Sequence, residues 1–146
     1  MGNLNSISVT SLPRIQNLGG DVLHILKHTD PNFLGFGEAY FSIIQNNAIK
    51  AWKIHKEMTL NLVVPIGLVR FVFASTEPNA VEQFRTIQIG ENDYSRITVP
   101  PNTWFGFQGI GQNPNLVLNI ADQIHDTNEI IRAPLEKFNY NWEFLP

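Results

Sequence analysis

The chain has 146 residues, of which 43% are hydrophobic and 16% are charged, and its formal net charge is −3. This length predicts a single domain (residues 1–146) with a sizeable core, and the hydrophobic content excludes a disordered chain. The acidic balance argues against a nucleic-acid partner, the absence of cysteine excludes disulfides and thiolate metal sites, and no run of 18 apolar residues could span a membrane.

Strand patterns follow one another along most of the sequence. Short segments alternate apolar with polar residues, or are rich in β-branched and aromatic residues, and Gly, Pro and Asn turns separate them. The predicted strands are residues 7–10, 21–28, 35–44, 50–55, 60–64, 68–73, 84–89, 94–99, 103–107 and 116–121. Short strands at a spacing of about ten residues are typical of an all-β sandwich or small barrel.

The connections refine this prediction. The turn at residues 45–47 joins two strands, and the Pro-Ile-Gly turn at residues 65–67 predicts a hairpin. Helix is scarce: residues 79–84 have room for one turn, and a candidate helix at residues 127–135 is limited by Pro134. The tail at residues 138–142 alternates aromatic residues with asparagine, which predicts a last strand or an ordered cover.

His55 is the strongest candidate for chemistry, because histidine moves protons near neutral pH. Side chains alternate along a strand, so Glu38, Tyr40 and Ser42 share one face, and Lys53 shares the face of His55. Each has a structural alternative: His55 could be a hydrogen-bonded histidine at a barrel mouth, Tyr40 an aromatic at the core rim, and Lys53 a solvated lysine. By the same alternation Trp52 points the opposite way, into packing.

Metal binding is not favoured. His24 and His28 share one face of their segment without further ligands, so they are interpreted as surface residues. His55 and Glu57 offer two ligands, and the later turn at residues 101–105 offers no imidazole, whereas a catalytic site needs at least three. The sequence therefore predicts no metal.

The order of several motifs resembles a known family. The motifs are Gly-Gly-Asp at residues 19–21, Phe-Gly-Glu-Ala-Tyr-Phe-Ser at 36–42, Lys-x-Trp-Lys-x-His at 50–55, Val-Val-Pro-x-Gly-x-Val-x-Phe-Val at 63–72, and Val-Pro-Pro at 99–101 closing on Gly-Phe at 106–107. Over roughly residues 7–142 this order resembles the dTDP-4-dehydrorhamnose 3,5-epimerase family, above all its short members associated with surface-polysaccharide pathways.

The resemblance implies a cupin-type jelly roll (a double-stranded β-helix barrel), a homodimer, and a nucleotide-sugar substrate inside the barrel, with no cofactor. It also implies that His55 removes a proton next to a 4-keto group and that Glu38 and Tyr40 contact the substrate. A dimer would cover the strand edges expected at residues 7–10 and 21–28. The chain start lacks the pattern of a secretory signal peptide, so the predicted location is the cytoplasm.

Two departures from the family pattern affect the expected chemistry. Asn119 matches the position of the family's catalytic tyrosine, and Phe105 matches a pocket histidine. An asparagine amide does not titrate near neutral pH, so exchange or inversion is expected at one carbon only. Tyr40, on the strand before His55, is then the expected proton donor, placed beside His55 and not across the sugar ring. His125 is the candidate for stacking on the nucleotide base.

The predicted function is epimerisation or keto-isomerisation of a nucleotide-linked 4-keto-6-deoxy sugar. The predicted catalytic residues are His55, Tyr40 and Lys53. The predicted substrate-binding residues are Glu38, Ser42, Asn119 and His125. The alternative is a non-catalytic jelly roll that binds a carbohydrate or nucleotide and has lost the family's tyrosine.

Overall fold

The computed structural model of the chain describes residues 3–75 and 81–143. Nearly all regular structure in these residues is β-strand, as the sequence predicts. The strands are β1 (Ser8–Ser11), β2 (Arg14–Ile15), β3 (Val22–Leu23), β4 (Glu38–Ile44), β5 (Ile49–His55), β6 (Leu60–Ile66), β7 (Leu68–Ser75), β8 (Gln83–Gly90), β9 (Ser95–Val99), β10 (Trp104–Gly109), β11 (Asn115–Ala121) and β12 (Ile130–Arg132). Single 3₁₀ turns occur at Leu4–Ser6 and Leu135–Lys137.

Two five-stranded antiparallel sheets form the framework. The first sheet has the order β1-β9-β6-β11-β4, and the second has the order β12-β5-β10-β7-β8. From β4 onward the chain changes sheet at almost every connection, and only β7 and β8 are consecutive strands of one sheet. This winding is that of a jelly roll, so the predicted fold class is confirmed.

The main core lies between the two sheets. Alternate residues of β6 (Leu60, Leu62, Val64) and of β7 (Val69, Phe71, Phe73) are buried there. Rings from β10 interdigitate with those of β7, with centroids 5.5 Å apart for Phe71–Phe107 and 5.9 Å for Phe73–Phe105. The two-residue period of each strand thus fixes which residues fill the barrel.

A second apolar cluster covers the outer face of the second sheet. Trp52 is 1% exposed there, as its place on the face opposite Lys53 predicts. Phe138 and Trp142 of the tail pack on it, with ring centroids 5.0 Å and 5.3 Å away. The tail is therefore an ordered cover and not a last strand.

The predicted hairpin at residues 60–73 is wrong. β6 pairs with β9 and β11 in the first sheet, whereas β7 pairs with β8 and β10 in the second. The chain crosses between sheets at Gly67, where φ is +90° and an added Cβ would lie 2.1 Å from Asn115 Oδ1. The prediction of a turn at residues 65–67 is correct, but this turn connects strands of two different sheets and not two paired strands.

Two other segments also differ from prediction. Of residues 21–28 only Val22–Leu23 form a strand, because Tyr94 Oη and Arg96 Nη1 donate to the next two carbonyls, of His24 and Ile25. The segment at residues 127–135 contains no α-helix, and its residues Ile130–Arg132 form the strand β12, paired with β5.

The predicted turn at residues 79–84 falls partly outside the described residues, and Gln83 already begins β8. Among the described residues no helix has the length and apolar character needed to cross a membrane.

Candidate active site

A pocket of about 490 Å³ lies between the edge of the first sheet and the edge of the second. This volume is within the usual range for small-molecule sites. β4 contributes Tyr40 and Ser42 on one side, while β5, β10 and β12 line the other. The polar and aromatic lining includes Tyr40, Ser42, Lys50, Lys53, Phe107 and Arg132. The structure therefore brings three predicted site residues, Tyr40, Ser42 and Lys53, into one cavity.

His55 is held by an acidic partner that the sequence interpretation missed. Its Nδ1 lies 2.6 Å from Oε1 of Glu129, and both residues are buried. The second oxygen of Glu129, Oε2, accepts the backbone N–H groups of Glu57 at 3.0 Å and Met58 at 2.8 Å. The carboxylate is therefore fixed on both sides and orients the imidazole.

This contact also fixes the tautomer of His55. A carboxylate accepts hydrogen bonds, so the imidazole proton resides on Nδ1 and the lone pair on Nε2. Nε2 is buried and has no hydrogen-bond partner among the described residues. Two positions earlier on the same strand face, Lys53 lines the pocket. Nε2 is thus the unprotonated nitrogen, and it is buried, because His55 is not among the residues that line the pocket.

The charge states follow from the surroundings. Burial lowers the pKa of His55 below its ordinary value, against the opposing effect of Glu129. Burial raises the pKa of Glu129, but the hydrogen bonds from His55 and from two backbone amides outweigh it, and the net pKa is lowered. At neutral pH the pair is a neutral imidazole beside a carboxylate, the state required of a general base.

The pocket is cationic. Of the described residues that line it, Lys50, Lys53 and Arg132 are basic and none is acidic. Burial, followed by the charges of Arg132 and Lys50, lowers the pKa of Lys53 to about 8. The Lys53 ammonium lies 5.2 Å from the centroid of the Phe105 ring, and no hydrogen bond to a described residue neutralises it. Lys53 remains available to an anionic ligand or a developing negative charge.

Tyr40 and Asn119 form a pair. They lie directly opposite each other in the β4–β11 register, and Asn119 Nδ2 donates to the Tyr40 phenolic oxygen at 2.8 Å. Tyr40 stands in the first sheet, whereas Lys53 and His55 stand in the second. The two residues lie in different sheets because the turn at residues 45–47 crosses between them.

The other predicted site residues, His55 and Asn119 among them, do not line this cavity. Glu38 is half-buried at the start of β4, opposite Ala121, and does not line the pocket. His125 is exposed in the loop after β11 and does not line it either. Phe105 packs against Phe73 in the core, where it cannot exchange protons.

Glu129 and Arg132 were not singled out by the sequence. Both come from the segment taken for a candidate helix, which forms strand β12 beside β5, with Arg132 opposite Lys53. One signal was present: Ile130 and Ile131 are consecutive β-branched residues, which favour a strand. Glu129 lies 74 residues from His55, and no local pattern predicts that contact.

Known proteins share this architecture. No protein-family model matches the chain. A probable low-salt glycan biosynthesis epimerase, Agl13, of Haloferax volcanii is 24% identical over 135 residues, covering 86% of this chain and 83% of that protein. The dTDP-4-dehydrorhamnose 3,5-epimerase of Sulfolobus tokodaii superposes with a TM-score of 0.79 at 14% identity, covering 95% of this chain and 84% of that one, and shows the shared fold.

A further comparison establishes the family to which the chain belongs. The dTDP sugar isomerase of Desulfovibrio desulfuricans G20 is 32% identical and superposes with a TM-score of 0.89, covering 97% of this chain and 93% of that one. Sequence identity at this level over nearly the whole of both chains shows a family relationship and not only a shared fold. The chain belongs to the dTDP-4-dehydrorhamnose 3,5-epimerase family of cupin-type sugar epimerases and isomerases.

Proposed function

We propose that this protein removes a proton next to the ketone of a nucleotide-linked 4-keto-6-deoxy sugar, as an epimerase or keto-isomerase of surface-polysaccharide biosynthesis. The His55–Glu129 pair, with its free Nε2, is the observation that carries the proposal. Its relatives are described as sugar epimerases and isomerases, one of them in glycan biosynthesis, which supports the same reaction class.

His55 is the proposed general base. Its Nε2 would take the proton on the carbon next to the ketone, while Glu129 keeps the other nitrogen protonated and stabilises the imidazolium that forms. The ketone already acidifies this C–H bond, so the reaction requires no organic cofactor. Lys53 would stabilise the enolate oxygen, because an ammonium group in a partly dry pocket interacts strongly with developing negative charge.

The basic lining suits a substrate that carries a diphosphate. Lys50 and Arg132 flank Lys53 along the second sheet, and the pocket opens between the two strand edges. A nucleotide diphosphate has negative charges that these side chains can pair with directly. Ser42 and Tyr40, on the facing strand, offer hydroxyl groups to the sugar. Substrate contacts by Glu38, Asn119 and His125 remain predictions from the sequence.

A second function, binding without catalysis, is favoured by one observation. The two positions that match the family's tyrosine and histidine hold Asn119, which is 3% exposed and bonded to Tyr40, and Phe105, which is in the core. Neither side chain titrates near neutral pH. A jelly roll that only binds a nucleotide sugar would need the cationic pocket but not the His55–Glu129 pair.

Deuterium exchange separates the two functions. We expect dTDP-4-keto-6-deoxyglucose, incubated with the protein in deuterated water, to gain deuterium at one carbon next to the ketone. His55→Ala should fold and lose about a hundred- to ten-thousand-fold in exchange rate, the usual contribution of a general base. His28→Ala, which alters an exposed histidine, is the matched control. Tight binding of the nucleotide sugar without any exchange would support the binding function and refute the enzymatic one.

We also propose that the protein is a cytoplasmic homodimer. The resemblance to the family supports both statements. The edge strand β1 also supports the dimer, because among the described residues it pairs only with β9.

A further inference from the structure

A second cavity, of about 360 Å³, lies between the loop at residues 24–32, the end of β1 and the strand β9. The loop contains no strand or helix, yet side chains of the first sheet hold it through its carbonyl groups. Tyr94 Oη donates to His24 O at 2.8 Å, and Arg96 Nη1 donates to Ile25 O at 2.7 Å. The cavity is therefore built into the fold.

Arg96 is the charged group that the sheet contributes to this cavity. Ile97 and Val99 of the same strand lie in the main core, so alternation places Arg96 on the opposite, outer face of the sheet. Arg96 lines the cavity although it is only 2% exposed. A charged side chain that is so little exposed requires partners for its N–H groups.

The partners of Arg96 are incomplete. Its Nη1, besides the bond to Ile25 O, lies 3.5 Å from Oδ2 of Asp30. The same Asp30 oxygen accepts the backbone N–H of Lys27 at 2.8 Å, and the Asp30 side chain is 30% exposed. Arg96 Nε is buried and has no hydrogen-bond partner among the described residues. The guanidinium thus retains a donor for an acceptor inside the cavity.

The size and charge of the cavity suit a small molecule with negative charge. Its volume is well above the roughly 30 Å³ that one water molecule occupies, and it is within the usual range for small-molecule sites. Of the described residues that line it, Arg96 and Lys27 are basic and Asp30 is acidic, so the basic charges are in excess. Thr10 and Ser11 add hydroxyl groups.

We infer that this cavity binds a small oxyanion, the phosphate or carboxylate group of a small metabolite, and that Arg96 and Lys27 hold it. A guanidinium forms short, charge-assisted hydrogen bonds with such groups. The described residues that line this cavity and the candidate active site have no member in common, and β6 and β11 separate β9 from β4. The inference therefore does not rest on the proposed function.

The NMR signal of the Arg96 Nε–H group tests the inference directly. Protein labelled with nitrogen-15 is titrated with sodium phosphate and separately with sodium acetate, and sodium chloride at equal ionic strength is the salt control. We expect the Arg96 Nε–H signal and the backbone amides of residues 24–32 to shift until the site is saturated. Saturation by phosphate alone assigns a phosphate group, by acetate alone a carboxylate, and by both an oxyanion of either kind.

Three variants locate the bound anion. Arg96→Gln should abolish the saturable shifts of the loop amides. Lys27→Gln should weaken binding by about tenfold, the usual effect of losing one charge-assisted hydrogen bond. Asp30→Asn should tighten binding, because it removes a negative charge from the cavity and keeps an acceptor for the Lys27 N–H. Lys137→Gln is the matched control, since this exposed lysine lies on the Trp104 ring of the second sheet.

Thermal unfolding checks that each variant is folded. Lys27 is exposed and Asp30 is partly exposed, so these two variants test the inference even where Arg96→Gln does not fold. An Arg96 Nε–H signal that shifts no more with phosphate or acetate than with chloride would overturn the inference. Equal affinity for the anion in Lys27→Gln, Asp30→Asn and the wild type would also overturn it. Neither outcome affects the proposed function, because exchange into the keto sugar is measured without these anions.

Discussion

Glu129 controls which nitrogen of His55 carries the proton. The substitution Glu129→Gln tests this, because it replaces one carboxylate oxygen with an NH₂ group of similar size. In Glu129→Gln, the backbone N–H groups of Glu57 and Met58 still require an acceptor, so the amide oxygen turns toward them. The amide NH₂ then faces Nδ1, which must accept, and the proton moves to Nε2. We expect exchange into the keto sugar to fall by about a hundred-fold or more with the fold retained.

Glu57→Gln is the control for this variant, because it makes the same chemical change at an exposed side chain. Both variants are compared by NMR of the keto sugar and by thermal unfolding. Wild-type exchange in Glu129→Gln would show that Glu129 does not set the tautomer.

The charge of Lys53 predicts how activity depends on pH. A lysine is charged below its pKa, and the pKa of Lys53 is about 8, so its charge is lost as the pH rises through that value. The lowered pKa of His55 keeps the base neutral at pH 7 and places the acid limb below the usual range for histidine. We expect a bell-shaped profile of exchange rate against pH.

Lys53→Arg assigns the alkaline limb of this profile. Arginine keeps its charge at every pH studied in proteins, so the loss of rate near pH 8 should disappear, although the maximum rate changes with the altered geometry. Lys27→Arg, at an exposed lysine, should leave the profile unchanged. An alkaline limb that persists in Lys53→Arg would assign it to another group.

At the scale of elements, the tail supports the strands that carry the site. Leu135 O accepts the indole N–H of Trp52, and Phe138, 4% exposed, packs on the same ring. Phe138→Ala should lower the free energy of unfolding by about 3–5 kcal/mol, the usual cost of removing a buried aromatic side chain.

Urea unfolding at fixed protein concentration measures this effect, with Phe36→Ala as the control. Phe36 is 65% exposed, and its removal should change the stability by no more than about 0.5 kcal/mol. A loss below about 1 kcal/mol in Phe138→Ala would show that the tail does not support the second sheet.

At the scale of the whole molecule, the first sheet presents an apolar outer surface. Phe41 and Ile43 on β4 are 62% and 59% exposed, and Ile66 on β6 is 53% exposed. Leu116 on β11 lies between Ile43 and Ile66 and pairs with both, so the apolar side chains cross three neighbouring strands. Contiguous exposed apolar surface is uncommon on monomers. In the proposed homodimer, a second copy of the chain would cover this apolar surface.

Sedimentation at micromolar concentration should therefore show a dimer. The double change Phe41→Asp and Ile43→Lys should give a folded monomer, because charged side chains in an interface core are costly to desolvate. Val81→Lys, at an exposed residue beside β8, should remain dimeric. A wild-type protein that sediments as a monomer would contradict the dimer.

The sequence by itself determined most of the longer strands and their faces. Alternation placed Lys53 and His55 on one side of β5 and Trp52 on the other, and it placed Tyr40 and Ser42 together on β4. These assignments depend only on the two-residue period of an extended chain, which is a local property. The order of the motifs along these segments was enough to predict both the family and the jelly-roll fold class.

Only the tertiary structure decided which strands meet. Neither the separation of β4 and β5 into opposite sheets nor the contact of Glu129 with His55, 74 residues away, has a local sequence signal. A turn such as residues 45–47 can join paired strands or cross between sheets, and the burial of both sheet faces across the whole chain selects between them. The alternation along β4 and β5 therefore fixed which way Tyr40 and His55 face on their strands, and long-range packing placed the two strands in different sheets.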